Sequence, residues 1–460
     1  MKTYDAIVIG SGQAGTPLAK KLAKAGKKTA LIEKRFVGGT CVNDGCTPTK
    51  ALIGSARDAY VVKRKDLGVL VAEFKVDFPA IMKRKDDIVI KSRNGGQEGL
   101  EETENLDLIF GDASFIDTKT LIIKLNAGGE EEMTADLIFI DTGATATIPK
   151  IEGLDSVDYL TNTTILELKE LPESLIVIGG NYIGLEFGQM FSRFGSRVTL
   201  IEKGERIMSR EDEDVSACVT SFFEEEGIKV ITSAETTKIE KAAGGVTLTI
   251  KTKTGEQKIT ASQVLLAVGR TPQTKTLGLD KTGVEVDEKG YVKVTDKLET
   301  TAKGIYALGD VKPGPAFTHI AYNDHLIVLK NLMEGADLTI KGRPVPYCMF
   351  TDPQLGRIGI SEDEAKKQGL DVKVAKLEMS HVARTNEIGE TKGFMKAVVD
   401  TKTNQVLGAT VLGYEGGEVM AIFQMAMQGK ITAHELRENI FAHPTMAESI
   451  NNLFMSIEEA

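Results

Sequence analysis

Cysteine is scarce in this sequence. Its 460 residues contain four cysteines, Cys41, Cys46, Cys218 and Cys348. That number is too small for the disulfide framework of a secreted protein of this size. In a reducing compartment, a close pair such as Cys41 and Cys46 is more often catalytic or metal-binding than structural. Zinc is disfavoured in turn, because no second pair of Cys or His residues has ligand spacing, and we expect no bound metal.

The sequence also lacks long apolar runs and an excess of positive charge. No segment approaches the roughly 18 apolar residues that a membrane-spanning helix needs, and the N-terminal apolar run is too short for a signal peptide. The net charge of −10 argues against binding to nucleic acid. These absences predict a cytoplasmic protein that binds neither membranes nor nucleic acids. Its length is sufficient for about two to four domains.

One pattern occurs twice along the chain: an apolar strand, a glycine-rich turn, an amphipathic helix and a second strand that ends in an acid. The turn and acid residues are Gly10, Gly12, Gly15 and Glu33 in the first copy and Gly179, Gly184 and Glu202 in the second. The acid follows the first glycine by 23 residues in both copies. Such glycines let the backbone approach a pyrophosphate at a helix N-terminus, and the acid binds ribose hydroxyls. Two copies predict two dinucleotide sites, although ordinary glycine turns in βαβ units are the alternative.

Two details of the second copy lead to further expectations. Asn181 stands where the second glycine of the pattern is expected. Asparagine tolerates a left-handed backbone better than most residues, so we expect the turn to persist. The acidic run at residues 211–214 is most simply a solvated helix start.

A cysteine pair follows the first copy closely. Gly39 and Thr40 precede Cys41, and Cys46 is followed by Pro-Thr and Lys50. A helix start favours the reactive thiolate form, and Lys50 lies one helical turn beyond Cys46, where its cation can face the same thiolate. This position predicts a redox-active pair. A stapling disulfide or two incidental thiols are the alternatives.

An acid/base couple lies near the C-terminus. His443 is followed by Pro-Thr and, five residues on, by Glu448. A neutral histidine suits proton transfer with a thiol near pH 7, and a carboxylate can orient the imidazole ring. From the residues alone, a His–Pro turn with a nearby glutamate is more often a surface feature.

With these motifs, the chain resembles the class I pyridine nucleotide–disulfide oxidoreductases over essentially its whole length. This group includes dihydrolipoamide dehydrogenase, glutathione reductase, mercuric reductase and the reactive-chlorine-resistance flavoprotein, and Cys-x4-Cys with Pro-Thr-Lys is its most specific motif. The resemblance implies an α/β fold with two Rossmann-like dinucleotide-binding domains, for FAD and NAD(P), and a C-terminal α+β dimerisation domain. The implied boundaries are 1–149 and 271–341 for the FAD domain, 150–270 for the NAD(P) domain and 342–460 for the dimerisation domain.

The resemblance also implies roles for individual residues. FAD contacts are implied for Gly10, Gly12, Gly15, Glu33, Lys34, Gly39, Thr40, Thr142, Gly143 and Asp310, the last of these to the flavin ribityl chain. Contacts to the nicotinamide nucleotide are implied for Gly179, Tyr182, Gly184, Glu202, Gly269 and Arg270, with the Tyr182 ring covering the nicotinamide pocket. Lys50 and Glu186 are the implied pair beside the flavin and the nicotinamide.

The implied reaction passes electrons from the nicotinamide through the flavin to a Cys41–Cys46 disulfide. Cys46 is the thiolate that stays against the flavin and Cys41 is the thiol that attacks the substrate. The His443–Glu448 couple reaches across a homodimer to the other copy's disulfide. Glu202 favours NADH as the donor, although Lys203 and Arg206 leave NADPH open.

The substrate is less specified: a small disulfide, a lipoyl group or a metal ion. Residues 346–356 resemble the mercuric reductase branch and residues 441–449 the reactive-chlorine-resistance branch, whereas the cysteine-free tail argues against efficient mercury reduction. The prediction is therefore an FAD-dependent disulfide or metal-ion reductase of the mercuric-reductase-like branch. A dihydrolipoamide dehydrogenase within a multienzyme complex and a flavoprotein with a mainly binding or scaffold role are the alternatives.

Overall fold

The computed structural model describes residues 1–457. In chain order, the strands of this part are Lys2–Ile9 (β1), Thr29–Glu33 (β2), Leu106–Phe115 (β3), Thr120–Leu125 (β4), Glu130–Ile140 (β5), Ala144–Ala146 (β6), Ser174–Ile178 (β7), Arg197–Ile201 (β8), Lys229–Ile231 (β9), Glu235–Ala242 (β10), Gly245–Thr252 (β11), Gly255–Ala261 (β12), Gln263–Leu266 (β13), Arg270–Pro272 (β14), Ile305–Ala307 (β15), Tyr347–Met349 (β16), Gln354–Gly359 (β17), Val372–Glu378 (β18), Phe394–Asp400 (β19) and Val406–Gly413 (β20). The α-helices are Gly15–Lys24 (α1), Gly39–Asn43 (α2), Cys46–Val61 (α3), Phe78–Glu101 (α4), Tyr182–Phe194 (α5), Glu213–Glu225 (α6), Thr318–Glu334 (α7), Glu362–Lys367 (α8), Ala383–Ile388 (α9), Gly416–Gly429 (α10), Ala433–Glu438 (α11) and Ser449–Met455 (α12).

The chain forms two compact units. Unit 1 consists of Met1–Ala51, Met82–Thr147 and Gly269–Arg343. Unit 2 consists of Leu52–Ile81, Ile148–Val268 and the segment that begins at Pro344. The four-segment domain division expected from the sequence stays a prediction.

Unit 1 is built on a six-stranded sheet. Strands β2, β1, β5 and β15 run parallel, β3 continues the parallel order beyond β2, and β4 pairs antiparallel with both β3 and β5. The strand ends are aligned, because Ile9 pairs with Ile32 and Ile140, and Ile140 pairs with Ala307. The turns that follow these strands therefore meet at one edge of the sheet, where ligands bind in folds of this type.

Unit 2 contains a second parallel sheet of the same kind. Its strand order is β13-β7-β8-β9, and Ile178 at the end of β7 pairs with Ile201 and Leu266. The apolar residues of β7 are buried, as a strand covered on both faces requires. An antiparallel sheet of β10, β11 and β12 contributes to the same hydrophobic core.

The C-terminal part of unit 2 has a different architecture. A five-stranded antiparallel sheet, in the order β16-β17-β20-β19-β18, carries α10, α11 and α12. Its core joins helix residues such as Phe423, Leu453 and Phe454 to strand residues such as Val411. Two Rossmann-like sheets and a C-terminal α+β part confirm the fold class predicted from the sequence.

Candidate active site and cofactor-binding turns

The first glycine turn leaves no room for side chains. Gly10 has φ +104°, and a Cβ on it would lie 2.3 Å from the Asp141 carbonyl oxygen. A Cβ on Gly15, the first residue of α1, would lie 2.1 Å from the Gly10 carbonyl oxygen. The bare backbone at the start of α1 thus forms a cradle that fits a dinucleotide pyrophosphate, since helix N-terminal amides attract anions.

Glu33 is held against this turn. Its carboxylate accepts hydrogen bonds from the Ser11 backbone N–H at 3.0 Å, the Ser11 hydroxyl at 2.6 Å and the Arg35 N–H at 2.7 Å. The structure therefore brings the predicted acid to the glycine turn. Lys34 instead forms an exposed ion pair with Asp112 at 2.7 Å.

A second acid at the same turn was missed from the sequence. Asp141 follows β5, and its Oδ2 accepts a hydrogen bond from the Gly15 N–H at 2.7 Å. Burial raises the pKa of Asp141 well above its usual value, the nearby carboxylates of Asp310, Asp324 and Glu33 raise it further, and the Gly15 N–H opposes the shift. Its place at the end of a parallel strand was the available signal, because such ends meet at one edge of the sheet.

The turn after β15 carries Asp310. The Gly309 N–H donates to Asp324 Oδ2 at 2.9 Å. The fully buried Asp324 is ion-paired with Lys312 at 3.1 Å and with Arg343 at 2.6 Å. This buried network fixes the backbone on which the candidate ribityl-binding residue is placed.

Arg270 lies beside Asp310. Its Nη2 is 3.5 Å from Asp310 Oδ2 and donates to the Ala144 carbonyl at 2.5 Å. Burial raises the pKa of Asp310, and the positive charge of Arg270 opposes that shift. The structure thus groups Arg270 with the candidate FAD residues of unit 1.

The remaining candidate residues of unit 1 lie in the neighbouring turns. Thr142 donates from its hydroxyl to the Gln273 carbonyl at 2.9 Å. Gly143 immediately precedes β6 and has φ +68°, and Gly269 immediately precedes β14 and has φ +128°. Strands β6 and β14 pair with each other.

The cysteine segment packs directly on the first glycine turn. A Cβ on Gly39 would lie 2.8 Å from the Gly12 Cα, so the two backbones are in contact. Thr40 and Cys41 follow in α2, and Cys46 begins α3. The geometry joins the cysteine pair to the candidate pyrophosphate site.

Of the two cysteines of the pair, Cys41 is half-buried and Cys46 is exposed. A hydrogen bond with Cys46 raises the pKa of Cys41, burial raises it further, and the Thr318 hydroxyl and the charge of Lys50 oppose the shift. Cys46 Sγ lies 3.4 Å from Thr318 Oγ1. The predicted pair and Lys50 therefore form one cluster.

The second glycine turn repeats the first. A Cβ on Gly179 would lie 2.4 Å from the Ala267 carbonyl oxygen, and one on Gly184 would lie 2.1 Å from the Gly179 carbonyl oxygen. Glu202 accepts from the Gly180 N–H at 2.7 Å and the Gly204 N–H at 2.6 Å. Both turns therefore offer a side-chain-free cradle with an acid at its edge.

Asn181 preserves the second turn by another route than expected. Its backbone is extended, with φ −116°, and its side-chain oxygen accepts from the Tyr182 N–H at 2.9 Å. The turn therefore persists as expected, but without a left-handed conformation at Asn181, which is instead the N-cap of α5, a position that asparagine favours.

Tyr182 is anchored by a buried acid. Its hydroxyl donates to Glu211 Oε1 at 2.5 Å, and the Tyr347 hydroxyl donates to the same oxygen at 2.7 Å. The two rings pack with centroids 5.7 Å apart, and Arg357 Nε lies 3.5 Å from Glu211 Oε2. The desolvation of Tyr182 and the charge of Glu211 raise the pKa of the Tyr182 hydroxyl.

The acidic run at residues 211–214 is only partly solvated. Glu211 and Asp212 are 2% and 4% exposed, and α6 begins after them, at Glu213. Asp212 is ion-paired with the buried Lys396 at 2.7 Å. The expectation of a solvated helix start is therefore wrong for these two residues, because tertiary packing supplies each with a buried cationic partner.

Glu186, also buried, accepts from the Phe350 N–H at 2.8 Å.

The structure brings His443 and Glu448 together. His443 Nδ1 lies 2.9 Å and 3.1 Å from the two carboxylate oxygens of Glu448. The histidine side chain is 68% exposed, in the loop that precedes α12. An oriented ring that faces outward suits proton transfer with a group outside its own unit.

Residues 1–457 contain neither a metal-binding cluster nor a membrane-spanning helix. Within this part of the chain, no group of three or more His, Cys, Asp or Glu residues is placed to hold a metal ion. In the same residues, no helix is long and apolar enough to cross a membrane.

Comparison with known proteins identifies the family. Residues 4–324 match the pyridine nucleotide-disulphide oxidoreductase family, and residues 345–454 match its dimerisation domain, which supports a homodimer. The probable pyridine nucleotide-disulfide oxidoreductase RclA of Escherichia coli K12 is 36% identical over 462 residues, with 100% of both chains covered. A mercuric reductase of Staphylococcus aureus is 37% identical, with 97% of this chain and 81% of that protein covered.

A dihydrolipoyl dehydrogenase of Thermus scotoductus is 35% identical over 98% of this chain and 96% of that protein. The solved structure of a Cu(II) complex of the HOCl-induced flavoprotein disulfide reductase RclA from Escherichia coli superposes with a TM-score of 0.91 at 35% identity, over 99% of each chain. The chain therefore belongs to the pyridine nucleotide-disulphide oxidoreductase family, whose members are FAD-dependent enzymes that take electrons from NAD(P)H.

Proposed function

We propose that this enzyme passes electrons from NAD(P)H through FAD to the Cys41–Cys46 pair and from there to a small disulfide or a metal ion. The observation that carries the proposal is the contact between the cysteine segment and the first glycine turn, where a Cβ on Gly39 would meet the Gly12 backbone at 2.8 Å. FAD supplies the two-electron step between nicotinamide and disulfide. The chain's own residues bind the nucleotides and handle the thiols and protons.

The two cysteines have different proposed roles. In the reduced pair, the raised pKa of Cys41 keeps that sulfur protonated, which supports Cys46 as the sulfur that carries the negative charge. Cys41 is the proposed nucleophile toward a substrate disulfide once its proton is removed. Its attack forms a mixed disulfide and expels a substrate thiolate, and Cys46 then displaces the second thiolate and restores the Cys41–Cys46 disulfide.

The proton of Cys41 needs an acceptor, and His443 is the proposed one. Glu448 contacts Nδ1 of the His443 ring and so orients the ring. The other ring nitrogen, Nε2, is then available to take the proton from the thiol and afterwards to give it to the departing thiolate. The couple lies within the matched dimerisation domain, and its histidine side chain is 68% exposed. Each active site is therefore proposed to combine the cysteine pair of one copy with the His443–Glu448 couple of the other.

NADH is the proposed donor. The Glu202 carboxylate stands at the second turn, where an acid favours the two hydroxyls of a ribose over a 2′-phosphate. Lys203 is paired with Glu235 at 2.7 Å, and Arg206 donates to the Glu211 carbonyl at 3.0 Å. Both nearby cations are thus engaged within the protein.

The other predicted site residues keep their proposed roles. Tyr182 covers the nicotinamide pocket, and Lys50 and Glu186 lie beside the flavin and the nicotinamide. The cytoplasmic location also stays a prediction.

Two classes of acceptor are supported by the relatives. The disulfide reductase and mercuric reductase relatives favour a disulfide or a metal ion. The dihydrolipoyl dehydrogenase relative, at 35% identity, keeps lipoamide as the second candidate. A turnover panel of lipoamide, oxidised glutathione, cupric ion and mercuric ion separates these classes, and absence of lipoamide turnover removes the second.

Anaerobic titration of the holoenzyme with NADH tests the central proposal. A long-wavelength absorbance band from a thiolate beside the flavin is expected after two electrons. Cys46→Ser should abolish the band, whereas Cys218→Ser, which changes a half-buried cysteine outside the pair, should leave it unchanged. A wild-type titration without the band, or a band that survives Cys46→Ser, contradicts the proposal.

A further inference from the structure

A buried acid lies inside the candidate FAD site. Asp141 is 8% exposed, and its Oδ2 accepts from the Gly15 N–H at 2.7 Å. A Cβ on Gly12 would lie 2.7 Å from the same oxygen, and a Cβ on Gly309 would lie 2.8 Å from Oδ1. The carboxyl group therefore extends from the first glycine turn to the turn that carries Asp310.

The surroundings of Asp141 are acidic. Glu33 at the end of β2, Asp310 after β15 and Asp324 on α7 all act on it as negative charges. The nearby cations are engaged with other acids: Arg270 lies 3.5 Å from Asp310, and Lys312 and Arg343 are paired with Asp324. From the N-terminus of α1, Asp141 accepts a hydrogen bond from the Gly15 backbone N–H. Burial and this charge distribution both disfavour a carboxylate ion at this position.

An ionised Asp141 would also oppose the cofactor. A dinucleotide pyrophosphate is an anion, and like charges a few ångströms apart in a buried site repel strongly. A neutral carboxylic acid removes the repulsion. Oδ2, as the carbonyl oxygen, still accepts from Gly15, and the O–H on Oδ1 becomes a hydrogen-bond donor at the turn that carries Asp310.

We propose that Asp141 acts in FAD binding as a neutral carboxylic acid, which accepts a hydrogen bond from the α1 N-terminus and offers its proton to the bound dinucleotide. This inference rests on the proposed assignment of the first glycine turn to FAD. It adds to the FAD site a residue that supplies a proton rather than a charge.

A pH dependence follows from this role. When the apoprotein is at a pH high enough to ionise Asp141, binding of FAD takes up one proton. The affinity for FAD therefore falls as the pH rises through the pKa of Asp141 in the apoprotein, by up to tenfold per pH unit. Asp141→Asn, which is neutral at every pH, lacks this uptake.

The test compares the wild-type holoenzyme with Asp141→Asn and with Asp117→Asn, a matched change at an exposed turn of the same unit. Infrared difference spectra at pH 7 should show the carbonyl band of a neutral carboxylic acid in the wild type and in Asp117→Asn, and its loss in Asp141→Asn. FAD dissociation constants, measured by flavin fluorescence after removal of the cofactor, should agree within threefold among the three proteins at pH 7.

An ionised Asp141 gives the opposite results. The lost band would then be that of a carboxylate, and Asp141→Asn would bind FAD at least tenfold more tightly because a repulsion has been removed. Either result overturns the inference, as does a folded Asp141→Asn protein that binds FAD at least tenfold more weakly. Far-UV circular dichroism establishes that the variant is folded. If Asp141→Asn is not folded, the spectrum of wild-type holoenzyme decides, because absence of any neutral-acid band overturns the inference.

Glu33→Ala separates this inference from the proposed function. If Glu33→Ala weakens FAD binding but the Asp141 results fail, the turn binds FAD and the neutral-acid inference is wrong. If Glu33→Ala leaves FAD binding unchanged, the assignment of the first turn to FAD is wrong.

Discussion

Replacing Glu211 with glutamine removes a buried negative charge that three side chains share. Glu211 accepts from the hydroxyls of Tyr182 and Tyr347 and lies 3.5 Å from Arg357, and the side chains of Glu211 and Arg357 are 1% and 4% exposed. The glutamine oxygen can still accept from the tyrosines, but its NH₂ group then faces the guanidinium as a second donor. The positive charge of Arg357 then stays buried without the buried carboxylate of Glu211 to neutralise it.

Removing one partner of a buried ion pair costs about 3–5 kcal/mol. The lower end applies here, because Arg357 keeps hydrogen bonds to Thr410 Oγ1 at 3.1 Å and to the Ile360 carbonyl at 3.2 Å. A loss of about 3 kcal/mol corresponds to a roughly 100-fold larger population of the locally opened state. Tyr347→Phe, which keeps the charge pair and loses one charge-assisted hydrogen bond, should cost about 1.5–3 kcal/mol.

Hydrogen–deuterium exchange measures this local stability without requiring two-state unfolding of the whole chain. In Glu211→Gln, amides of β17, which carries Arg357, should exchange roughly 100-fold faster than in the wild type. Glu213→Gln, an exposed change two residues away at the start of α6, should leave the rates unchanged. A change of less than about threefold in Glu211→Gln would show that the buried charge stabilises nothing and would refute the reasoning.

Three further changes test the proposed roles. Gly184→Ala should abolish flavin reduction by NADH while FAD stays bound, since its Cβ would lie 2.1 Å from a backbone oxygen; Gly95→Ala, with nothing within 4 Å, should have no effect in the same stopped-flow assay. Glu202→Gln should raise kcat/KM for NADPH relative to NADH by about tenfold, as charge repulsion of the 2′-phosphate is lost; an unchanged ratio argues against this role. Glu448→Gln should slow disulfide turnover by roughly 10- to 100-fold, because His443 loses its charged partner, while flavin reduction by NADH is unchanged; equal losses in both half-reactions would contradict the assignment.

Features that depend on short sequence spacing could be predicted from the sequence. The two glycine turns and their acids, Glu33 and Glu202, lie within single βαβ units, where chain geometry brings them together. The His443–Glu448 contact is equally local. The fold class followed from the same motifs, because each of them specifies its own strand–turn–helix arrangement.

Residues far apart in the chain required the tertiary structure. Asp141 reaches the Gly15 amide because β1 and β5 are parallel neighbours whose ends are in register, a pairing that no local pattern specifies. Glu211 was expected in solvent, yet Arg357 and Tyr347 from the C-terminal sheet bury it. The sequence by itself thus determined which chemical groups this protein has and, through its family motifs, that it is an FAD enzyme that uses NAD(P)H. Only tertiary packing decided which acids are buried and what they contact, because strand pairing brings together groups that the chain separates by more than a hundred residues.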